Sequence, residues 1–223
     1  MHIKGAIFDM DGTLIDSLSF WDYLWGKIGE RYMGDKDFRP CDEVNKAVRT
    51  MNYVDAMAYV RSYYGIKCTA EEFRGFTEGM LPDFYKTVAT VKEGAVALLT
   101  HLKSLGIPLC LASATAMKEL RYALACHGLD GYFDTVLSCA DIGVGKDRPD
   151  IYLLALQKMG LTAGEACVFE DSFVALETAK AAGFLTVGIY DRYNFEQERL
   201  RAASDLYLAE GHTLSELIPH IET

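Results

Sequence analysis

The sequence predicts an α/β fold: a mainly parallel sheet with helices on both faces, and an all-helical segment inserted after the first strand. Three observations lead there. Short apolar runs recur along the chain and end in small or acidic residues. Their apolarity is continuous rather than alternating, as in strands covered on both sides. Helical patterns separate them, and repeated strand–helix–strand units build a parallel sheet. With 223 residues, half of them hydrophobic, the chain can form one large domain with an insertion, and its core needs neither disulfides nor a metal.

The first run is GAIFD at 5–9. From about Leu18 to Val88 the patterns are helical, with no convincing strand, and aromatics such as Phe20, Trp21, Tyr23 and Trp25 are dense. Residues 1–17 and 89–223 are therefore expected to form the α/β core, and 18–88 the insertion. The aromatics either build the insertion's own small core or, in part, line a substrate pocket. In EGAVALLTHLKSLG, Ala95, Leu98, Leu99 and Leu102 recur at helical spacing, and Gly106 sits where a C-terminal cap belongs. The runs IPLCLAS (107–113), YFDTVLS (132–138) and ACVFED (166–171) follow as strands. In DSFVALETAKAAG, Ala175, Thr178, Ala179 and Ala182 form a narrow stripe suited to close packing on a sheet, and Gly183 ends the helix. FLTVGIYD (184–191) and the weaker DLYLAE (205–210) complete the strands.

The net charge is −10, from 32 acidic and 22 basic residues, which disfavours a nucleic-acid partner. Nothing resembles a signal peptide, and no apolar stretch reaches the ~18 residues of a membrane span. The six cysteines include no C-x-x-C pair, so they read as free thiols of a reducing, cytoplasmic setting. The five histidines show no ligand spacing.

In parallel α/β sheets, ligands bind outside the carboxyl ends of the strands. Four groups lie at such ends: Asp9 with Asp11, Ser113, Lys146 after a loop, and Glu170 with Asp171. Each has a plain alternative. Ser113 suits an N-cap, Lys146 a solvated loop, and Glu170–Asp171–Ser172 a helix start favoured by the dipole. D-x-D-G also occurs in calcium loops, but the preceding strand and the missing glutamate at the loop's twelfth position oppose an EF-hand. Taken together, up to four carboxylates share one crevice, where like charges ~4 Å apart repel by about 4 kcal/mol at an effective dielectric near 20. Such a cluster keeps protons or binds a cation, and hard oxygen ligands without histidine or cysteine select Mg²⁺. Ser113, Lys146 and backbone N–H groups near Gly12 add a cradle for a tetrahedral dianion. The combination points to phosphoryl transfer through an aspartyl phosphate.

DMDGT at 9–13, the serine of LASAT at 111–115, the lysine of GKDRPD at 145–150 and FEDS at 169–172 resemble, in order, the four motifs of the haloacid dehalogenase superfamily of phosphohydrolases. The arrangement is most similar to the branch with a helical cap after the first strand, which includes β-phosphoglucomutase and phosphoglycolate phosphatase. The resemblance implies a Rossmann-like core (1–17 and 89–223), a cap (18–88) that closes over the site, and a Mg²⁺-dependent phosphatase of a small phosphorylated metabolite. It implies that Asp9 is nucleophile and metal ligand, and that Asp11 is the general acid/base, its carbonyl also reaching the metal. The resemblance also implies that Ser113, Lys146, Gly12, Thr13 and Ala114 bind the phosphate. Asp171 is a metal ligand, and Glu170 a direct or water-mediated one. Thr13 supports the geometry of Asp11.

The sequence departs from the family pattern where Asp147 and Arg148 separate Lys146 from Pro149, and where Ala175 replaces a glycine. The second aspartate excludes the dehalogenase and phosphonatase branches. Twelve positions after Asp9, where the sugar-phosphate mutases have histidine, stands Trp21, which counts against mutase activity. Two rivals stand beside the phosphatase: an intramolecular phosphomutase, and a non-catalytic binding protein on this fold. Within the insertion, Lys46 and Arg49 are one turn apart and suit either an anionic leaving group or a solvated helix face. The expected partner is a small phosphorylated metabolite, not a nucleic acid or a membrane, and the protein is expected to be a monomer or weak dimer.

Overall fold

The structure, a computed structural model, describes residues 1–48, 51 and 53–222. It contains two compact units, one of residues 1–18 with 90–223 and the other of residues 19–89. The larger unit carries β1 (Gly5–Phe8), β2 (Ile15–Asp16), β3 (Thr90–Val91), β4 (Leu109–Ser113), β5 (Thr135–Ser138), β6 (Ala166–Glu170), β7 (Leu185–Ile189) and β8 (Leu206–Leu208). Six of these form one sheet in the order β5-β4-β1-β6-β7-β8, every neighbouring pair parallel. All six arise from the apolar runs read in the sequence. Every residue of β1, β4 and β6 is buried, which is why their apolarity is continuous.

The order fixes where a ligand can sit. After β1 the chain builds β4 and β5 on one side, then crosses to build β6, β7 and β8 on the other. The switch point lies at β1, and its carboxyl end opens between β4 and β6. Register holds those ends level: Phe8 pairs with Leu111 on one side and with Phe169 on the other. The rings of Phe8 and Phe169 stack at 4.2 Å and make an apolar base under the strand ends.

The helices of this unit are α6 (Ala95–Ser104), α7 (Met117–Cys126), α8 (Cys139–Ile142), α9 (Asp150–Met159), α10 (Phe173–Ala181) and α11 (Gln197–Ala203). The four apolar positions expected to face inward on α6 are all fully buried, and Gly106 follows with φ +74°. On α10, Ala175 and Ala179 are buried together with Leu176, whereas Thr178 and Ala182 are only half-buried. The packed face is thus wider and more apolar than the small-residue stripe suggested. A second, two-stranded sheet was not expected: β2 and β3 pair antiparallel, Ile15 with Val91 and Asp16 with Thr90. Two residues per strand leave no alternation to read.

Among the described residues the regular elements of the smaller unit are all helices: α1 (Phe20–Tyr32), α2 (Asp42–Val48), α3 (Tyr53–Tyr63), α4 (Ala70–Glu78) and α5 (Leu81–Thr87). Its aromatics make a core of their own. Phe84 is fully buried, with the Phe20 ring 5.1 Å away edge-on and Tyr23 at 5.6 Å. Thr69 and Glu72 close a capping box that starts α4. All six cysteines are free thiols. Among the described residues no helix is long and apolar enough to cross a membrane.

Candidate active site

Asp9 leaves the end of β1 with its N–H donating to the carbonyl of Phe169 on β6 (3.0 Å). Its carboxylate is buried, and Lys146 donates to it in a short contact. Met10, next along, is fully buried, so Asp9 and Asp11 flank an inward-facing residue. The chain then curls: the Met10 carbonyl accepts from both Leu14 N (2.9 Å) and Ile15 N (3.0 Å), and Gly12 N donates to the Ile15 carbonyl (2.8 Å). Gly12 takes φ +83°, and a Cβ there would lie 2.1 Å from Asp171 Oδ2. The position requires glycine for backbone and for space. Its N–H is used inside the turn, in the bond to Ile15.

Two hydroxyls hold Asp11. Ser17 Oγ donates to Oδ1 and Thr115 Oγ1 to Oδ2, each at 2.7 Å. Sequence reasoning missed both, since a lone hydroxyl in a loop has no spacing signal. Thr13, expected to support Asp11, is placed otherwise: it is fully buried and its hydroxyl donates to Asp171 Oδ1 at 3.0 Å. The curl after Met10 separates residues 11 and 13, which a continued strand would have kept on one side.

Ser113, at the end of β4, is buried and does not cap a helix. Its Oγ accepts the Thr115 N–H (3.0 Å), and α7 starts later, from Ala116 without a side-chain cap. Ala114 beside it is exposed. Lys146 is far from solvated, at 10% side-chain exposure. Besides Asp9 it donates to Glu170 Oε1 at 2.5 Å. Although burial pulls the Lys146 ammonium downward, the carboxylates of Asp9 and Glu170 outweigh it and hold its pKa well above the ordinary lysine value.

Glu170 and Asp171 end β6, both buried. Glu170 Oε1 also accepts from Tyr152 Oη (3.3 Å), and Oε2 accepts the N–H groups of Asp171 and Ser172 (3.1 Å each). Four donors therefore surround it. Tyr152 was also missed by sequence reasoning. It is a wholly buried phenol on α9 in an otherwise apolar pattern, its pKa driven well up, first by burial and then by Glu170. Asp171 accepts from Thr13 and, in a short contact, from Asn194.

Ligand oxygens of Asp9, Glu170 and Asp171 lie within 4.8 Å of one another. The charge balance is unfavourable as it stands, because Asp9 and Glu170 share the single Lys146 ammonium while the side-chain partners of Asp171 are the neutral Thr13 and Asn194. The Asp9 carboxyl is pushed up to about 8, foremost by burial; Lys146 opposes the rise, and Glu170 and Asp11 add to it. Asp171 is raised well above the carboxylate range by burial, then by Glu170 and Asp9. A set of hard oxygens short of positive charge fits a divalent cation of the magnesium class.

Three other residues singled out in the sequence lie in the helical unit or outside the described residues. Trp21 is half-buried on the first turn of α1, 5.6 Å from the Trp25 ring. Lys46 is exposed on α2. Arg49 lies outside the described residues.

A family model for haloacid dehalogenase-like hydrolases matches residues 3–183. A phosphorylated carbohydrates phosphatase of Thermotoga maritima is 26% identical over 181 residues, covering 81% of this chain and 82% of that protein. Hexitol phosphatase A of Escherichia coli is 28% identical over 190 residues, covering 85% and 84%. Among solved structures, CbbY from Rhodobacter sphaeroides in complex with phosphate superimposes with a TM-score of 0.79 at 21% identity, covering 96% of both chains, a likeness of fold.

Proposed function

Because the chain belongs to the haloacid dehalogenase-like hydrolase family, we propose that it is a magnesium-dependent phosphatase of a small phosphorylated carbohydrate or polyol. One observation carries the reading. A buried carboxylate, Asp9, stands at the switch point of the sheet with Lys146 against it, Asp171 beside it, and a second aspartate, Asp11, held by two hydroxyls. The substrate class is supported by relatives named for phosphorylated carbohydrates and for hexitol.

In the proposed cycle an Asp9 oxygen attacks phosphorus, and the ester oxygen leaves with a proton from Asp11. Asp11 then takes a proton from a water that attacks the aspartyl phosphate, releasing inorganic phosphate and restoring the Asp9 carboxylate. Ser17 and Thr115 fix the Asp11 carboxylate for both transfers. Lys146 and Ser113 bind the phosphoryl oxygens, and Glu170 keeps Lys146 in place. Asp9, Asp171 and the Asp11 carbonyl would hold a magnesium ion, with Glu170 beside them in the acidic group. When bound, the ion supplies the positive charge the carboxylates lack and orients the anionic ester.

Trp21 supports hydrolysis over phosphomutase activity, since an indole has no basic nitrogen to share in proton control. Replacing Asp9 by Asn tests the nucleophile, because an amide does not attack phosphorus. Asp9→Asn is expected to lower phosphate release by about 10³-fold or more while the circular dichroism spectrum is kept. Near-wild-type rates with saturating magnesium would overturn the assignment.

A further inference from the structure

Asp171 is gripped from an element that carries none of the four motifs. Asn194 lies in the turn between β7 and α11, and its Nδ2 donates both to Asp171 Oδ2 and, at 3.0 Å, to the main-chain carbonyl of Asp171. Both partners are acceptors, so the amide nitrogen, and not its oxygen, must face them. On its other oxygen Asp171 accepts from Thr13. The Gly12 backbone closes against Oδ2, where a Cβ would stand 2.1 Å away. The carboxylate is thus fixed in rotation by two donors and a backbone wall, with two of its four lone-pair positions used.

The turn that presents Asn194 is itself built around a buried ion pair. Asp191, at 4% exposure, accepts the Tyr193 N–H on Oδ1 (2.9 Å) and pairs with Lys92 through Oδ2 (2.9 Å). Its main-chain carbonyl accepts from Asn194 N (3.1 Å) and Gln197 Nε2 (2.9 Å). Lys92 also donates through Nζ to the Tyr190 carbonyl (3.1 Å), and its own N–H donates to the Leu14 carbonyl (2.8 Å). That last bond ties the network to the curled turn carrying Asp11 and Gly12.

Resting on the reading of Asp171 as a ligand of the divalent cation, we propose that Asn194 is a positioning residue that orients Asp171 for that cation, and that the Lys92–Asp191 pair sets the turn from which it acts. Groups that orient a metal ligand govern affinity nearly as strongly as the ligands do, and their loss costs about 10–100-fold.

The test is calorimetric titration of magnesium chloride into chelator-stripped full-length protein, with thermal unfolding of the same metal-free samples. Asn194→Leu keeps the shape of the side chain and removes the donor. It is expected to weaken magnesium binding about 10–100-fold, with the metal-free melting temperature close to wild type. Lys92→Met is expected to weaken binding in the same direction, and it stands in for Asn194→Leu should that variant not fold. Wild-type magnesium affinity in whichever variant folds would overturn the positioning role while leaving the cation site intact. Absence of magnesium binding in the wild-type protein would overturn the cation site and the positioning role together.

Discussion

At Gly12 two constraints coincide, and the residue-scale chemistry follows from them. A side chain there meets a left-handed backbone, which costs roughly 1–2 kcal/mol, and the Asp171 carboxylate at 2.1 Å. Gly12→Ala must displace that carboxylate, and a misplacement near 1 Å costs about 100-fold in kcat/KM. Steady-state kinetics on folded protein check this, and an unimpaired variant would contradict the packing described. The thiols offer a second reading of single residues. Cys41 is exposed and its thiol is drawn below its ordinary range by the Val44 N–H, helped by the Tyr63 hydroxyl, whereas burial pushes Cys110 up to about 12 and Cys139 up to about 11. Since the thiolate is the nucleophile, iodoacetamide at neutral pH is expected to modify Cys41 first and to reach Cys110 and Cys139 only after denaturation, as peptide mass mapping would record. The residues that converge at the strand ends were legible as charges in places where a buried strand should carry none. Ser17, Thr115, Tyr152 and Asn194 were not, because a hydroxyl or amide acquires its role only from the partner that folding brings to it.

Among the elements, the central strands β1, β4 and β6 were readable because every residue in them is buried and the run must be apolar throughout, whereas β5 and β8, at the edges of the sheet, are mostly half-buried. The extent of the runs exceeded the strands: YFDTVLS contains β5 only as Thr135–Ser138, since Asp134 turns aside to accept the Leu109 N–H (2.9 Å). The β2–β3 ribbon escaped notice, as two-residue strands have no period. So did the turn after β7, whose Asp191, Lys92 and Asn194 lie far apart in the chain and meet only in three dimensions. In the helical unit the density of aromatics was visible, and the structure shows what it builds: Phe84, on α5, meets rings from α1. Phe84→Ala empties a fully buried site and is expected to destabilise this unit by about 3–5 kcal/mol. Amide hydrogen exchange across residues 19–89 measures it, with faster exchange in α1 and α5 expected and unchanged protection contradicting the role of this ring as the unit's centre.

At the scale of the whole molecule, charge and topology act together. The chain carries a net charge of −10, yet its sheet collects three buried carboxylates at the switch point, two of them sharing one lysine. Such a site is electrostatically incomplete without a cation, so chelation is expected to abolish turnover and magnesium to restore it. Calcium, with looser and larger coordination, is expected to support it poorly; full activity after exhaustive EDTA treatment would contradict the account. The central claim is that a phosphate monoester enters this site and inorganic phosphate leaves it. Phosphorus NMR of the protein with hexose and hexitol phosphates, in magnesium and without a bisphosphate activator, reads that outcome directly. The account predicts a growing inorganic phosphate resonance as the ester signal falls; an isomerised sugar phosphate accumulating faster than free phosphate would contradict it.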